Sequence, residues 1–471
     1  MLHLGLGAFH RAHQAPYTED AMEAGGGDWG ICGVTQRSRT VLDQLEPQDG
    51  LYTVLARGPH GVEARVVGTE RELLFAGSQA DQVVARAADP AVRVVTLTVT
   101  EKGYRHNPAT GRLRRDDDSI RADLAGGSPQ TVLGQLVRGM QARMVSDSGP
   151  LAVLSCDNLN RNGATVAGLV TEFVDLLPVD EARHLASWIA EQVRFPSSSV
   201  DRIVPAATAA DYDEVRRQIG LDDEGVVVTE PFRQWVIEDD FPGGRPSWEA
   251  AGVLLTDDVT PYEVMKLRML NGAHSTLAYL GALAGCETIA DAMSREPFAA
   301  VVQRLMHYDV RTTLQQPTGF DLAAYEDQLL DRFANPALQH RTAQVAMDGS
   351  HKVPQRLLST FRARRAAGAE PRWAAFAVAA WMRWVWSDRT DEGVMRVLED
   401  PLSALFQDKL SGASSPSDVV ARLLAIRDVF GNDLCDDEIA SRLLVDALEL
   451  LTGNGALGAA TLLEHESTPN E

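Results

Sequence analysis

Four polar side chains share one short stretch of sequence: Glu263, Lys266, Asn271 and His274, in TPYEVMKLRMLNGAHSTLAYLG (residues 260–281). Thr260 as N-cap, Pro261 at the first helical position and Glu263 at the third predict a helix start there. At 100° per residue the four fall within one broad arc, with His274 about 80° and Asn271 about 140° from Lys266. Met265, Leu267, Met269 and Leu270 require part of the same helix to be buried. A lysine at such a boundary loses solvation, its pKa falls, and it can act as a general base, while Asn and His are suited to holding a substrate oxygen. Taken singly, a surface lysine, a capping asparagine and a core histidine account for the same residues. A second candidate is SCDNLNRNG (155–163), after an apolar run whose carboxyl end would open where parallel sheets bind ligands. The amide of Asn158 can stabilise a developing alkoxide, or simply close an Asx turn. Asp157 and Asn160 read as turn residues, and Cys156 as a buried, inert thiol.

Gly5 and Gly7 end the first apolar run and precede a helical pattern, where glycines let the backbone approach a pyrophosphate at a helix N-terminus. His10 stands where the third glycine of the usual fingerprint belongs, so a turn needed for chain geometry explains the pair equally well. A ribose-binding acid is expected roughly 20 residues further on. The chain reads Thr35, Gln36, Arg37, Ser38 instead. Arg37 can meet a 2′-phosphate or be a solvated loop residue, which leaves NAD and NADP both open.

These residues need elements to position them. In the first half, short β-branched runs (LHLGLG near 2, WGICGV near 29, VRVVTLTVT from 92, GPLAVLSC from 149, GVVVTE from 225) alternate with helical periods over 80–88, 131–144 and 165–177. That rhythm predicts βαβ units on a mostly parallel sheet, and GVLLTDD (252–258) reads as one more strand. Beyond it the pattern turns helical. The expected division is a Rossmann-like α/β domain over 1–258 and a mostly α-helical domain over 259–471. A chain of 471 residues exceeds the size at which single cores stop growing. Its 44 basic and 66 acidic residues give a charge of −22, which argues against nucleic acid or an anionic membrane as partner. The uninterrupted apolar stretch Trp373–Met382 is well short of the ~18 residues of a membrane span. The glycine pair near residue 5 does not suit a signal peptide, and four scattered cysteines suit a reducing cytoplasm.

LGLGAFHRAHQA, TLTVTEKGY, LSCDNLNRNG, FPSSSVDRIVPA, EPFRQWVIEDDFPGGRP, MKLRMLNGAHSTLAYLG and AMDGSHKVPQR follow one another along nearly the whole chain. In this order they resemble the polyol-specific long-chain dehydrogenases/reductases, the mannitol dehydrogenase family. The resemblance implies that Lys266 is the general acid/base, that Asn158 and Asn271 form the oxyanion hole, and that His274 orients the substrate. It implies Asp201 and Lys352 as substrate contacts, Glu263 on a proton path, and Phe9, Thr100 and Glu101 beside Gly5, Gly7 and Arg37 in the cofactor set. It implies NAD as cofactor, with NADP possible, no metal, and a monomer or weak homo-oligomer acting on a small sugar acid or polyol. The sequence itself offers His10 and His13 as a tempting pair, but a catalytic zinc needs three protein ligands.

Within the family the choice lies between a sugar acid and a neutral polyol. Gln344 stands eight residues before Lys352, where the resemblance puts an arginine in mannitol-type members. VPQR after the lysine and Arg233 in EPFRQW resemble the uronate branch, and Arg356 would offer a planar fork to a carboxylate. Each arginine could equally be a structural ion-pair partner. The implied reaction is interconversion of D-fructuronate and D-mannonate, with mannitol 2- or arabinitol 4-dehydrogenation as the alternative. A nucleotide-sensing protein without turnover is a reading of another class, and the intact Lys266, Asn158, Asn271 and His274 speak against it.

Overall fold

The computed structural model describes residues 1–465 except 59, 60, 108, 109 and 318. The chain divides into two compact units, Met1–Thr260 and Pro261 onward. The first contains β1 (Leu2–Leu4), β2 (Ile31–Thr35), β3 (Tyr52–Gly58), β4 (Gly61–Val67), β5 (Glu70–Phe75), β6 (Val94–Leu97), β7 (Leu151–Ser155) and β8 (Val193–Arg194). Six of these form an all-parallel sheet in the order β5-β2-β1-β6-β7-β8. This is the 3-2-1-4-5-6 order of a doubly wound fold, with its topological switch beside β1.

The strands read as continuous apolar runs because both faces are covered. Val95, Leu97 and Val153 pack with Val83, Leu136, Met140 and Val166 of the helices Ala76–Ala88, Val132–Ser146 and Asn162–Val174. Their neighbours Val94 and Leu154 point the other way, into a second cluster with Tyr17, Trp235 and Trp248, as strand alternation requires.

Two expected strands lie outside the main sheet. β9 (Ser198–Asp201), β10 (Val227–Thr229), β11 (Gln234–Glu238) and β12 (Leu254–Thr256) complete the unit. β10, read as part of the parallel sheet, instead pairs with β3 of the β3–β4 hairpin. β12 runs beside β11, which is antiparallel to β9.

The second unit is helical. Its first helix starts at Thr260, whose N–H is accepted by Asp258 Oδ1 at 2.9 Å, so Thr260 lies within the helix rather than capping it. Lys266–Asn271 is a π-helical segment between α-helical Thr260–Met265 and Gly272–Leu283. A π-bulge changes the turn per residue, so the arc read at a constant 100° does not hold across it. Leu305–Val310 and Pro354–Leu358 are π-helical as well, and the latter follows the helix Gly349–Val353, where a proline inside a helix removes the donor of one i→i−4 bond. The helix Glu438–His465 is long and apolar enough for a membrane span by length and composition. Its backbone breaks at Gly455, and Leu444, Leu448 and Leu451 are fully buried at helical spacing, which makes it a core helix of this unit.

Candidate active site

At the switch beside β1 the backbone is bare. Gly5 has φ +108°, and a Cβ there would sit 2.1 Å from the carbonyl oxygen of Thr98. Only glycine fits this approach. Gly7 precedes the helix Ala8–Ala12, and a Cβ there would meet nothing closer than 3.5 Å. Phe9 is half-buried with its ring stacked on His13 at 5.1 Å. Gln36, at the end of β2, exchanges amide hydrogen bonds with Gln135, whereas Arg37 is exposed. Thr100 and Glu101 follow β6, both exposed.

Beneath this turn lies a buried polar cluster that the sequence did not point to. The rings of His3 and His10 stack 3.5 Å apart. His3 bonds Thr96 and Thr98 through its two nitrogens, and Thr98 Oγ1 donates to the carbonyl of Gly5. His10 Nε2 lies 2.9 Å from Glu70 Oε1, with both side chains fully buried. Burial pushes His10 down to about 3 and Glu70 up to about 8. His13, the other member of the tempting pair, bonds the carbonyl of Gln234 at 2.9 Å.

Asn158 is exposed three residues beyond β7, and Asp201 is buried at the end of β9. Cys156 is buried, and burial raises its thiol well above the usual range. Arg233 binds Asp20 at 2.5 Å and lies over the Tyr17 ring at 4.1 Å. With Arg65 and Arg202 it walls a cavity of about 530 Å³ in this unit.

In the second unit Lys266 and Asn271 open and close the π segment, half-buried like Glu263 one turn earlier. His274 is half-buried between the rings of Phe333 and His340, at 5.5 and 5.4 Å. Burial, with His340, Arg356, Arg332 and Lys352 nearby, pushes its pKa to about 3, so the imidazole is neutral. Lys352 Nζ donates to the carbonyl of Val345 at 3.3 Å and lies 4.0 Å from Asp348; burial and then Arg356 lower its pKa. Arg356 donates to Ser275 Oγ at 3.1 Å, and no carboxylate among the described residues lies within ion-pair distance of it.

The contact that joins these helices rests on Gly272. A Cβ there would meet the carbonyl oxygen of Arg356 at 2.9 Å. Glycine lets the π segments Lys266–Asn271 and Pro354–Leu358 touch and thereby fixes Arg356 relative to Asn271. Gly272 and Ser275 were not singled out in the sequence, although a glycine inside a helical pattern is a signal of close packing.

The family model of the mannitol dehydrogenase Rossmann domain matches residues 1–250, and that of the mannitol dehydrogenase C-terminal domain matches residues 258–451. The chain belongs to the mannitol dehydrogenase family. It is 42% identical to D-mannonate oxidoreductase of Escherichia coli over 92% of this chain and 89% of that protein. It is 38% identical to mannitol 2-dehydrogenase of Pyrenophora tritici-repentis over 97% of this chain and 80% of that one. Among solved structures it resembles the Pseudomonas fluorescens mannitol 2-dehydrogenase ternary complex with NAD and D-mannitol. That likeness has a TM-score of 0.82 and 36% identity, and covers 99% of this chain and 94% of the other. Membership in this oxidoreductase family therefore rests on both units.

Proposed function

We propose that this mannitol dehydrogenase family member interconverts D-fructuronate and D-mannonate by hydride transfer with NAD, NADP remaining a possible substitute, and that Lys266 rather than a metal handles the proton. The glycine turn fits a dinucleotide: bare backbone at Gly5 and Gly7 stands at the switch of a doubly wound sheet, where a pyrophosphate can approach it. Phe9, Arg37, Thr100 and Glu101 would complete that binding set. The bound nicotinamide would supply the hydride acceptor or donor.

In the oxidation direction Lys266, with its amine deprotonated, takes the hydroxyl proton while the carbinol hydrogen leaves as hydride; in reduction it returns the proton to the alkoxide. Asn158 and Asn271 donate to that oxygen, and a neutral His274 can hold it without adding charge. Asp201 and Lys352 bind substrate hydroxyls, Arg356 its carboxylate, and Glu263 relays the proton, while Arg233, paired with Asp20, fits the structural ion-pair role instead.

Arg356 carries the choice of a sugar acid. Its half-buried guanidinium has a serine hydroxyl but, among the described residues, no carboxylate beside it, on the same helical face contact as Asn271. A guanidinium fork gains most from a planar anion. The 42% identity to D-mannonate oxidoreductase supports the same reading. The test is absorbance at 340 nm with fructuronate, fructose, mannonate and mannitol, each with NAD(H) and NADP(H). Fructuronate should be reduced with at least about tenfold higher kcat/KM than fructose, the worth of one hydrogen bond to a charged group. Comparable turnover of fructose or mannitol would establish the neutral-polyol reading instead.

A further inference from the structure

Asp157 is buried two residues beyond β7 and one residue before Asn158. Its carboxylate accepts from the backbone N–H of Val99 at 3.0 Å, the N–H of Thr100 at 2.9 Å and the hydroxyl of Tyr104 at 2.6 Å. The Tyr104 hydroxyl is also 2.8 Å from Ser155 Oγ, within the same core. Burial raises the Asp157 pKa and Tyr104, Val99 and Thr100 oppose that rise, as donors to a carboxylate should.

Thr100 has φ +63° and ψ 160°. A β-branched residue adopts this region only when its surroundings impose it. The two N–H groups held by Asp157 are those of Thr100 and of the residue before it, which puts the carboxylate among the contacts that hold this conformation. The same loop reaches back to the glycine turn: Thr98 Oγ1 donates to the Gly5 carbonyl at 2.9 Å, and the Thr98 carbonyl fills the space a Gly5 Cβ would need.

We infer that Asp157 is a positioning residue that ties the loop 98–101 of the dinucleotide site to the turn carrying Asn158, so that one carboxylate sets both. This was not its expected role as a simple turn residue, and it rests on the dinucleotide reading given above. Loss of one charged acceptor should let Thr100 relax and the loop leave the shape that a cofactor meets.

The experiment measures NADH affinity of the full chain by fluorescence titration, with steady-state kinetics and Tm alongside. Asp157→Asn, which keeps the shape but can accept from only one of the two N–H groups, should bind NADH about tenfold more weakly and lower kcat, with KM for the sugar substrate little changed. Glycine takes the Thr100 conformation without strain. In a Thr100→Gly background the same Asp157→Asn change should therefore cost less than about threefold in NADH affinity, a coupling that a merely structural role would not produce. Equal NADH affinity in wild type and Asp157→Asn, or an equal cost in both backgrounds, overturns the positioning role. A wild-type chain that binds neither NADH nor NADPH overturns the dinucleotide reading itself, which is a different result.

Discussion

Lys266, Asn271 and His274 could be picked out of the sequence because one helix carries all three, and short spacing is legible where long-range contact is not. Lys266→Ala should lower kcat by at least ~10²-fold, the low end for general acid–base catalysis, and leave dinucleotide affinity nearly intact. Unchanged kcat at saturating substrate would remove Lys266 from the mechanism. Alanine at Asn158 or Asn271 should each cost ~10²–10³-fold in kcat. If both serve one oxygen, the double variant should lose less than the product of the single losses, and strictly multiplicative losses would separate their roles. His274 is neutral because burial and surrounding cations hold its pKa near 3, so a kcat/KM profile from pH 5 to 8 should carry no ionisation that disappears in His274→Gln. The His10–Glu70 pair escaped sequence reading because its members are 60 residues apart, and nothing local to either residue predicts the other.

At the scale of elements, β1, β6 and β7 were visible as apolar runs because strands covered on both faces have no polar alternation to hide them. The β3–β4 hairpin was not: Glu63 and Val66 are exposed, Arg65 is half-buried, and the pattern across Gly61–Val67 resembles a loop. β9 escaped for a similar reason, since its residues Ser198–Asp201 are mostly polar yet buried. The π segments had one visible cue, Pro354 within a helical stretch, and none at Lys266–Asn271 or Leu305–Val310, where an i→i+5 turn has no compositional mark. Gly272→Ala tests whether the helix contact matters. A methyl 2.9 Å from the Arg356 carbonyl must push backbone apart, which should cost about 1–3 kcal/mol of stability by overpacking and lower kcat/KM for a sugar acid. A variant with wild-type stability and kcat/KM would show that the helices can shift apart freely.

For the whole molecule, charge sets two further expectations. His10 and Glu70 together stay neutral in the folded chain between about pH 3 and 8. Unfolded, the same two groups carry a net positive charge below the ordinary carboxyl pKa and a net negative charge above the ordinary imidazole pKa of about 6.5. Their contribution to stability therefore rises with pH in acid, is level in between, and falls from about pH 6.5 to 8, by about 2 kcal/mol. Urea unfolding of Glu70→Gln should lack that alkaline fall relative to wild type; parallel curves would mean that Glu70 is ionised in the folded state. The net charge of −22 also repels an anionic substrate, so local cations have to offset it and added salt should weaken both effects. Arg356 is where this balance is most exposed to test. The decisive measurement is the ratio of kcat/KM for fructuronate to that for fructose in wild type and in Arg356→Gln. A guanidinium meeting the substrate carboxylate predicts a large ratio that falls by roughly 1.5–3 kcal/mol, about 10- to 150-fold, in the variant. A ratio that Arg356→Gln leaves unchanged would contradict a carboxylate bound at Arg356 and, with it, the sugar-acid assignment.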